Sequence, residues 1–366
     1  MVLGETQKET VTDMRILVVH PGPNFSVADV HNGWVEALRD LGCEVASFNT
    51  DDRIQFYGNA LINTGEMDHG GHPLVRRAMS DDAAVRMAMQ GVSHAAMAMW
   101  PDVVVFVSGF FVTPGVLQLL QQRRMNVVLL ATESPYQEQM QLDRAQCSDV
   151  VLLNDPVNIE QYRDLGVTVD YAPHCYRPHI HYPRKPGDVV NPELAADLSF
   201  IGTGFRSRVE FFERMNLTGL DVQLGGCWMD MAEDSPLREY LGDDTETCTD
   251  NTVTAEIYRN AKAGINFYRR EYAEADDQHV QPYAMGPREV EMAACGLFFL
   301  RDPRPEGDQV LHMLPTFAGP EDAGEQLRWW LAHDKEREAA AASAREAVAN
   351  RTFDENARRL LKLLDE

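Results

Sequence analysis

The chain has no cysteines spaced Cys-x-x-Cys. Its six, Cys43, Cys147, Cys175, Cys227, Cys248 and Cys295, are scattered, which argues against a zinc ribbon or a disulfide scaffold and for buried thiols. No apolar run approaches the length of a membrane span, and the polar opening Met1 to Asp13 lacks the apolar centre of a secretion signal. A disordered leader over residues 1–13 and a cytoplasmic location are therefore expected. Basic charge is scarce: 33 lysines and arginines against 57 aspartates and glutamates leave a formal net charge of −24. Nonspecific nucleic-acid binding needs a basic face to displace counterions, so it is disfavoured. Any anionic ligand must instead be held by a few placed arginines and helix ends. There is also no Asp-x-Asp pair and no Walker phosphate loop, which points away from a metal-bound diphosphate and from ATP hydrolysis. The nearest approach to a metal cluster is Asp68-His69-Gly-Gly-His72. Its glycines favour a mobile loop, further ligands are missing, and no metal site is expected.

What is present suits two α/β domains. A length of 366 residues exceeds one typical core, and 44% hydrophobic with 25% charged residues is ordinary for a globular protein. Short apolar runs such as Met14-Arg-Ile-Leu-Val-Val-His20, Asp102-Val-Val-Val-Phe-Val-Ser108 and Val127-Val-Leu-Leu-Ala131 alternate with helical patterns. This rhythm predicts a largely parallel sheet with ligands approaching the carboxyl ends of the strands. The first strand ends in Pro21-Gly22-Pro23-Asn24-Phe25-Ser26, where Gly22 is a candidate for close approach of a ligand. Residues 51–73 turn polar and glycine-bearing and read as an excursion. From Val167 to Pro186, proline-rich text including His174 predicts an extended crossing between domains. The expected organisation is a Rossmann-like domain over 14–185, a second over 194–350, and a helix over 351–366 returning to the first.

The second domain carries two motifs. Gly286-Pro-Arg-Glu-Val-Glu-Met-Ala-Ala-Cys-Gly-Leu-Phe-Phe-Leu300 reads as a capped helix entering a strand, with Pro287 at a first helical position and Gly296 at the stop. Arg288 and Glu291 share one helix face near its positive end, fit either to hold a phosphorylated ligand or to form a surface ion pair. Gly202-Thr203-Gly204-Phe-Arg206-Ser207 follows another strand. It departs from the dinucleotide fingerprint, because Ser207 replaces the third glycine and Arg206 intrudes. Arg206 then suits a clamp on an anionic diphosphate, or an exposed arginine beside a structural turn. Arg206, Arg288 and helix dipoles would stand in for a metal on the leaving diphosphate.

Asp197-Leu-Ser-Phe-Ile-Gly-Thr-Gly-Phe-Arg206, Arg288-Glu-Val-Glu291-Met-Ala-Ala-Cys-Gly296 and Phe317-Ala-Gly-Pro-Glu-Asp-Ala resemble the spore-maturation CgeB-like glycosyltransferases of the GT-B clan, of which phage-encoded members are known. Thr132-Glu-Ser-Pro-Tyr136, Asn154-Asp155 and Pro173-His-Cys-Tyr-Arg-Pro178 extend the resemblance, which covers most of residues 14–364. It implies two Rossmann-like domains facing a cleft and a UDP-, GDP- or TDP-linked sugar in the C-terminal domain, with no other cofactor. Glu291 would lie on the ribose hydroxyls and Arg206 on the diphosphate. The acceptor is a protein, a glycan, a small molecule or a modified nucleobase, and a phage-encoded member would work in the host cytoplasm. Where related families carry a glutamate eight positions before Glu291, Tyr283 stands here; this puts sugar contacts around 283–286 in doubt.

For the acceptor proton, Glu133 at a strand end and His174 in the crossing are the candidates. Glu133 equally suits a helix-capping carboxylate, and His174 a packed core residue; a retaining enzyme needs no dedicated base. Asp276, Asp277 and His279 suit either sugar contacts or a solvated loop. Two other functions fit the pattern: a nucleotide-sugar epimerase or hydrolase, which turns over donor with no acceptor, and a nonenzymatic nucleotide-binding module, which consumes none.

Overall fold

The computed structural model describes residues 14–22, 27–185, 187–229, 231–242, 244–271 and 281–365. The leader, and Asp276, Asp277 and His279, lie outside these residues. In the N-terminal half the strands are β1 (Arg15–Val19), β2 (Glu44–Phe48), β3 (Leu61–Met67), β4 (Pro73–Arg77), β5 (Val103–Val107), β6 (Asn126–Ala131), β7 (Val150–Leu153) and β8 (Thr168–Tyr171). The helices are α1 (Ala28–Asp40), α2 (Thr50–Gly58), α3 (Asp81–Met99), α4 (Pro114–Gln122), α5 (Glu138–Ala145) and α6 (Ile159–Arg163). Six of the strands form a sheet in the order β2-β1-β5-β6-β7-β8, parallel throughout. The central strands are apolar at nearly every position because helices cover both faces: Val103, Val104, Val105, Val127 and Val128 are all fully buried.

The C-terminal half repeats the scheme with β9 (Ala196–Ile201), β10 (Val222–Gly225), β11 (Ala261–Asn266) and β12 (Phe298–Arg301), in the parallel order β10-β9-β11-β12. Its helices are α7 (Arg206–Arg214), α8 (Asn251–Asn260), α9 (Pro287–Ala294), α10 (Pro305–Val310), α11 (Pro320–Leu331) and α12 (Asp334–Ala347). The last helix, α13 (Phe353–Asp365), buries Phe353, Ala357, Leu360 and Leu361 among Trp34, Val35 and Leu38 of the first domain. It therefore crosses back, as its spacing of apolar residues requires a partner face.

Two segments differ from the sequence expectation. The excursion at 51–73 is ordered as α2 and the antiparallel ribbon β3–β4. The ribbon's apolar residues Leu61, Ile62, Met67, Leu74 and Val75 are exposed and follow neither the helical nor the strand period, which leaves little hydrophobic periodicity to read. The crossing segment begins as a strand, because β8 pairs with β7 along Thr168 to Tyr171 before the prolines start. Among the described residues no helix is long and apolar enough to cross a membrane.

Candidate active site

The carboxyl ends of both sheets open into one cleft of about 540 Å³ between the domains. On its C-terminal wall, the Gly202-Thr203-Gly204 loop is wedged between neighbours. A Cβ on Gly202 would sit 2.3 Å from Arg288 Nη2, the flexible end of a side chain that would have to shift, and one on Gly204 2.3 Å from the buried Trp228 indole, where only glycine fits. The Gly202 N–H donates to the Gly225 carbonyl (2.9 Å) and the Gly204 N–H to that of Cys227 (2.7 Å). Arg288 Nε donates to the Ile201 carbonyl at 2.6 Å and its guanidinium lies over the Phe200 ring. Arg288 thus braces the glycine loop from α9 while lining the cleft.

Arg206 lies elsewhere. Its side chain is 87% exposed and paired with Glu210 at 2.8 Å, and it does not line the cleft, whereas Arg208 does. Arg208 is 6% exposed and donates through Nε to Phe267 O (3.1 Å) and through Nη1 to Thr203 O (2.8 Å). Burial, then the neighbouring Arg288 cation, holds its pKa well below the usual guanidinium range. A desolvated cation beside another cation is stabilised by any anion that enters. Gly204 lies behind the lining, packed on Trp228.

Glu291 lines the cleft, its pKa raised by burial and opposed by His181. Asn251 Nδ2 donates both to Glu291 Oε1 (3.1 Å) and to Asp29 Oδ2 (2.8 Å), linking the two domains. Arg177 pairs with the other oxygen of Asp29 at 2.6 Å. Ligand atoms of Asp29, His181 and Glu291 lie within 4.8 Å of one another, a spacing that a metal ion could bridge. The histidine argues otherwise. His181 Nδ1 accepts the Arg177 N–H at 3.2 Å, so the neutral ring carries its proton on Nε2 and offers a donor there, not a lone pair.

The N-terminal wall brings Gly22, Glu133 and His174 to the same cleft. Gly22 has a φ of +121°, and its N–H donates to His20 Nδ1 at 3.1 Å. Glu133 receives Arg269 Nη2 at 2.8 Å from the opposite domain, with that guanidinium over the Tyr136 ring. Burial pushes the His174 imidazole down to about 4. It is neutral at pH 7, can accept a hydrogen bond, and holds a transferred proton weakly.

Sequence reasoning did not single out Arg208, Arg269, Arg304 or Asn251. Arg304 Nη2 donates to Tyr136 OH at 3.2 Å and stacks on Tyr268. Asp155 Oδ2 accepts the backbone N–H groups of Tyr283 (2.8 Å) and Ala284 (2.9 Å), so an N-terminal carboxylate anchors the segment that enters α9. The one available signal was arginine density just after strand ends, which does not say which arginine turns inward.

Comparison with known proteins places this architecture. The glycosyl transferase-like family model matches residues 206–362, and no curated protein sequence matches the chain. Sucrose-phosphate synthase from Thermosynechococcus elongatus superposes with a TM-score of 0.60 at 14% identity, over 96% of this chain and 98% of that one. An α-glucosyltransferase in complex with UDP and a 13-mer DNA containing an HMU base gives 0.60 at 11% identity, over 97% and 100%. A putative UDP-N-acetylglucosamine 2-epimerase from Listeria monocytogenes gives 0.58 at 13%, over 96% of each chain. These likenesses establish the two-domain fold. Residues 206–362 match a glycosyl transferase-like family model, and the chain as a whole has the two-domain GT-B architecture.

Proposed function

We propose that the protein moves a sugar from a UDP-, GDP- or TDP-linked donor to a hydroxyl acceptor without a metal ion, as a CgeB-like enzyme of the cytoplasm, that of the host if the gene is carried by a phage. The observation that carries this is the C-terminal wall, where a glycine loop, the N-terminal end of α9, the buried Arg208 and the half-buried Arg288 converge on one cleft. Arg208 and the Gly202 loop meet the diphosphate, so that Arg208 takes the role the sequence suggested for Arg206. Arg288 keeps that loop in shape, and Glu291 takes the ribose hydroxyls. Charge on the departing diphosphate is then met by fixed cations and backbone dipoles. Glu133 removes the acceptor proton through Oε1 while Arg269 stays on its Oε2; neutral His174 lines the same wall as the second candidate base.

Support for the donor class comes from the neighbour solved with UDP. That neighbour also holds DNA with a modified base, which keeps a nucleobase among the acceptors beside protein, glycan and small molecule. The epimerase-like neighbour supports a second reading, donor turnover without an acceptor. The test is to incubate the full chain with UDP-, GDP- and TDP-sugars, with and without cell lysate, and to measure released nucleotide and sugar-bearing products, in parallel with Arg208→Ala and Glu291→Ala. Nucleotide release that needs lysate supports transfer. Release without it supports the epimerase or hydrolase reading. Undiminished activity in both variants would sink the site assignment.

A further inference from the structure

The cleft divides its charge by domain. Among the described residues its four arginines, Arg208, Arg269, Arg288 and Arg304, all come from the C-terminal half. Among the described residues of the N-terminal half, the lining includes Asp29, Asp51, Glu133 and Asp155 and no lysine or arginine. The two histidines on this wall do not supply a cation: burial holds both His20 and His174 below the ordinary imidazole range. Two of the C-terminal arginines that reach across already have partners, Arg269 on Glu133 and Arg304 on Tyr136. The polar side chains on the N-terminal side are carboxylate, amide and hydroxyl, in Asp51, Asn32, Thr132 and Ser134, each with a local partner: Gln55, His31, Ser108 and Glu138. The carboxylates pair with sugar hydroxyls and repel anions, while the amides and hydroxyls pair with either.

Resting on the reading that this wall meets the acceptor, we infer that the part of the acceptor entering the cleft is an uncharged polyol, free of phosphate, sulfate and carboxylate. Discrimination comes from repulsion: a phosphorylated sugar would bring two negative charges to a wall that has only negative ones, with no counter-cation to pair them.

The test titrates glucose 6-phosphate, and separately inorganic phosphate, into the full chain saturated with whichever of UDP, GDP or TDP raises its melting temperature most. Binding is followed by ligand-observed NMR in the native protein and in Asp51→Lys. The native protein is expected to show no saturable binding of either probe, and Asp51→Lys to gain at least about tenfold in affinity for glucose 6-phosphate, the scale of one placed charge pair. Saturable binding of either probe to the nucleotide-loaded native protein overturns the inference. So does an Asp51→Lys protein that keeps its nucleotide-induced stabilisation and still binds neither probe, since wall charge would then not be what excludes anions. If none of the three diphosphates moves the melting temperature, the donor reading fails by itself. The same titrations in an Arg208→Ala background without nucleotide still decide the acceptor question.

Discussion

The two walls of the cleft are built on opposite terms. The C-terminal wall is interlocked: Arg288 fills the space that the missing Cβ of Gly202 leaves, Trp228 does the same at Gly204, and Arg208 is pinned by two carbonyls. Its shape is set before any ligand arrives, which suits a part of the substrate that does not vary. The N-terminal wall is looser in its chemistry, with carboxylates, neutral histidines and amides whose partners lie largely across the cleft. One wall stores positive charge and the other answers it, so the ion pair Glu133–Arg269 and the Asn251 bridge between Asp29 and Glu291 draw the domains together where the substrates must enter.

The sharpest way to break this contrast is at the two arginines of α7. Arg208→Ala should lower kcat/KM for donor-dependent nucleotide release by about 100- to 1000-fold, the usual loss for a buried donor to transition-state charge. Arg206→Ala should stay within about twofold, because an exposed pair with Glu210 contributes little. The reverse order in steady-state kinetics would return the diphosphate to the exposed arginine. On the opposite wall, Glu133→Gln should lower kcat about 100-fold with the donor KM nearly unchanged, if Glu133 takes the proton. Were Glu133 only half of an interdomain clamp, Arg269→Ala would match it in both parameters.

How much of this could be read in advance follows from burial. Strands such as β5 and β6 are covered on both faces, so their sequences are uninterrupted apolar runs and their positions are plain. The ribbon β3–β4 is exposed along nearly its whole length, and its sequence carries no core face to betray it. The site divides similarly. Gly22, Gly202, Thr203, Glu133, His174, Arg288 and Glu291 stand at strand ends, in the interdomain crossing or on one helix face, and the fold carries them to the cleft. Arg206 and Arg208 differ by two positions, about 200° around a helix. Which one faces inward depends on where α7 starts, and capping residues are absent there to mark it. Asn251, Arg269 and Arg304 reach the opposite domain through partners 136 to 222 residues away, a distance no local pattern records.

Smaller effects test how the walls are supported. Leu361→Ala on α13 should destabilise the protein by about 2–4 kcal/mol, measured by denaturant unfolding, since Leu361 is 3% exposed in the N-terminal core. The loss should appear with little change in donor affinity, because that helix braces the acceptor side.

The smallest shift belongs to Glu289, behind the C-terminal wall. Its carboxylate accepts the Gly286 N–H at 2.9 Å and the Tyr268 hydroxyl, holding the turn that begins α9. Burial raises its pKa from the ordinary 4.5 to about 7, against the pull of those hydrogen bonds and of Arg301 and Arg304. The folded state therefore binds the proton more tightly than the unfolded chain does. The stability from that proton is fully present below about 4.5 and is lost as pH rises through about 7. Glu289→Gln removes the titration while keeping an oxygen for both donors. Its melting temperature relative to the native protein should be lowest near pH 5 and should rise by a few degrees by pH 8, in the range of 2–4 °C per kcal/mol seen for domains of about 150–250 residues. A difference that stays flat across that window would mean that Arg301 and Arg304 keep Glu289 ionised throughout, and that the positive character of the C-terminal wall extends to the layer beneath it.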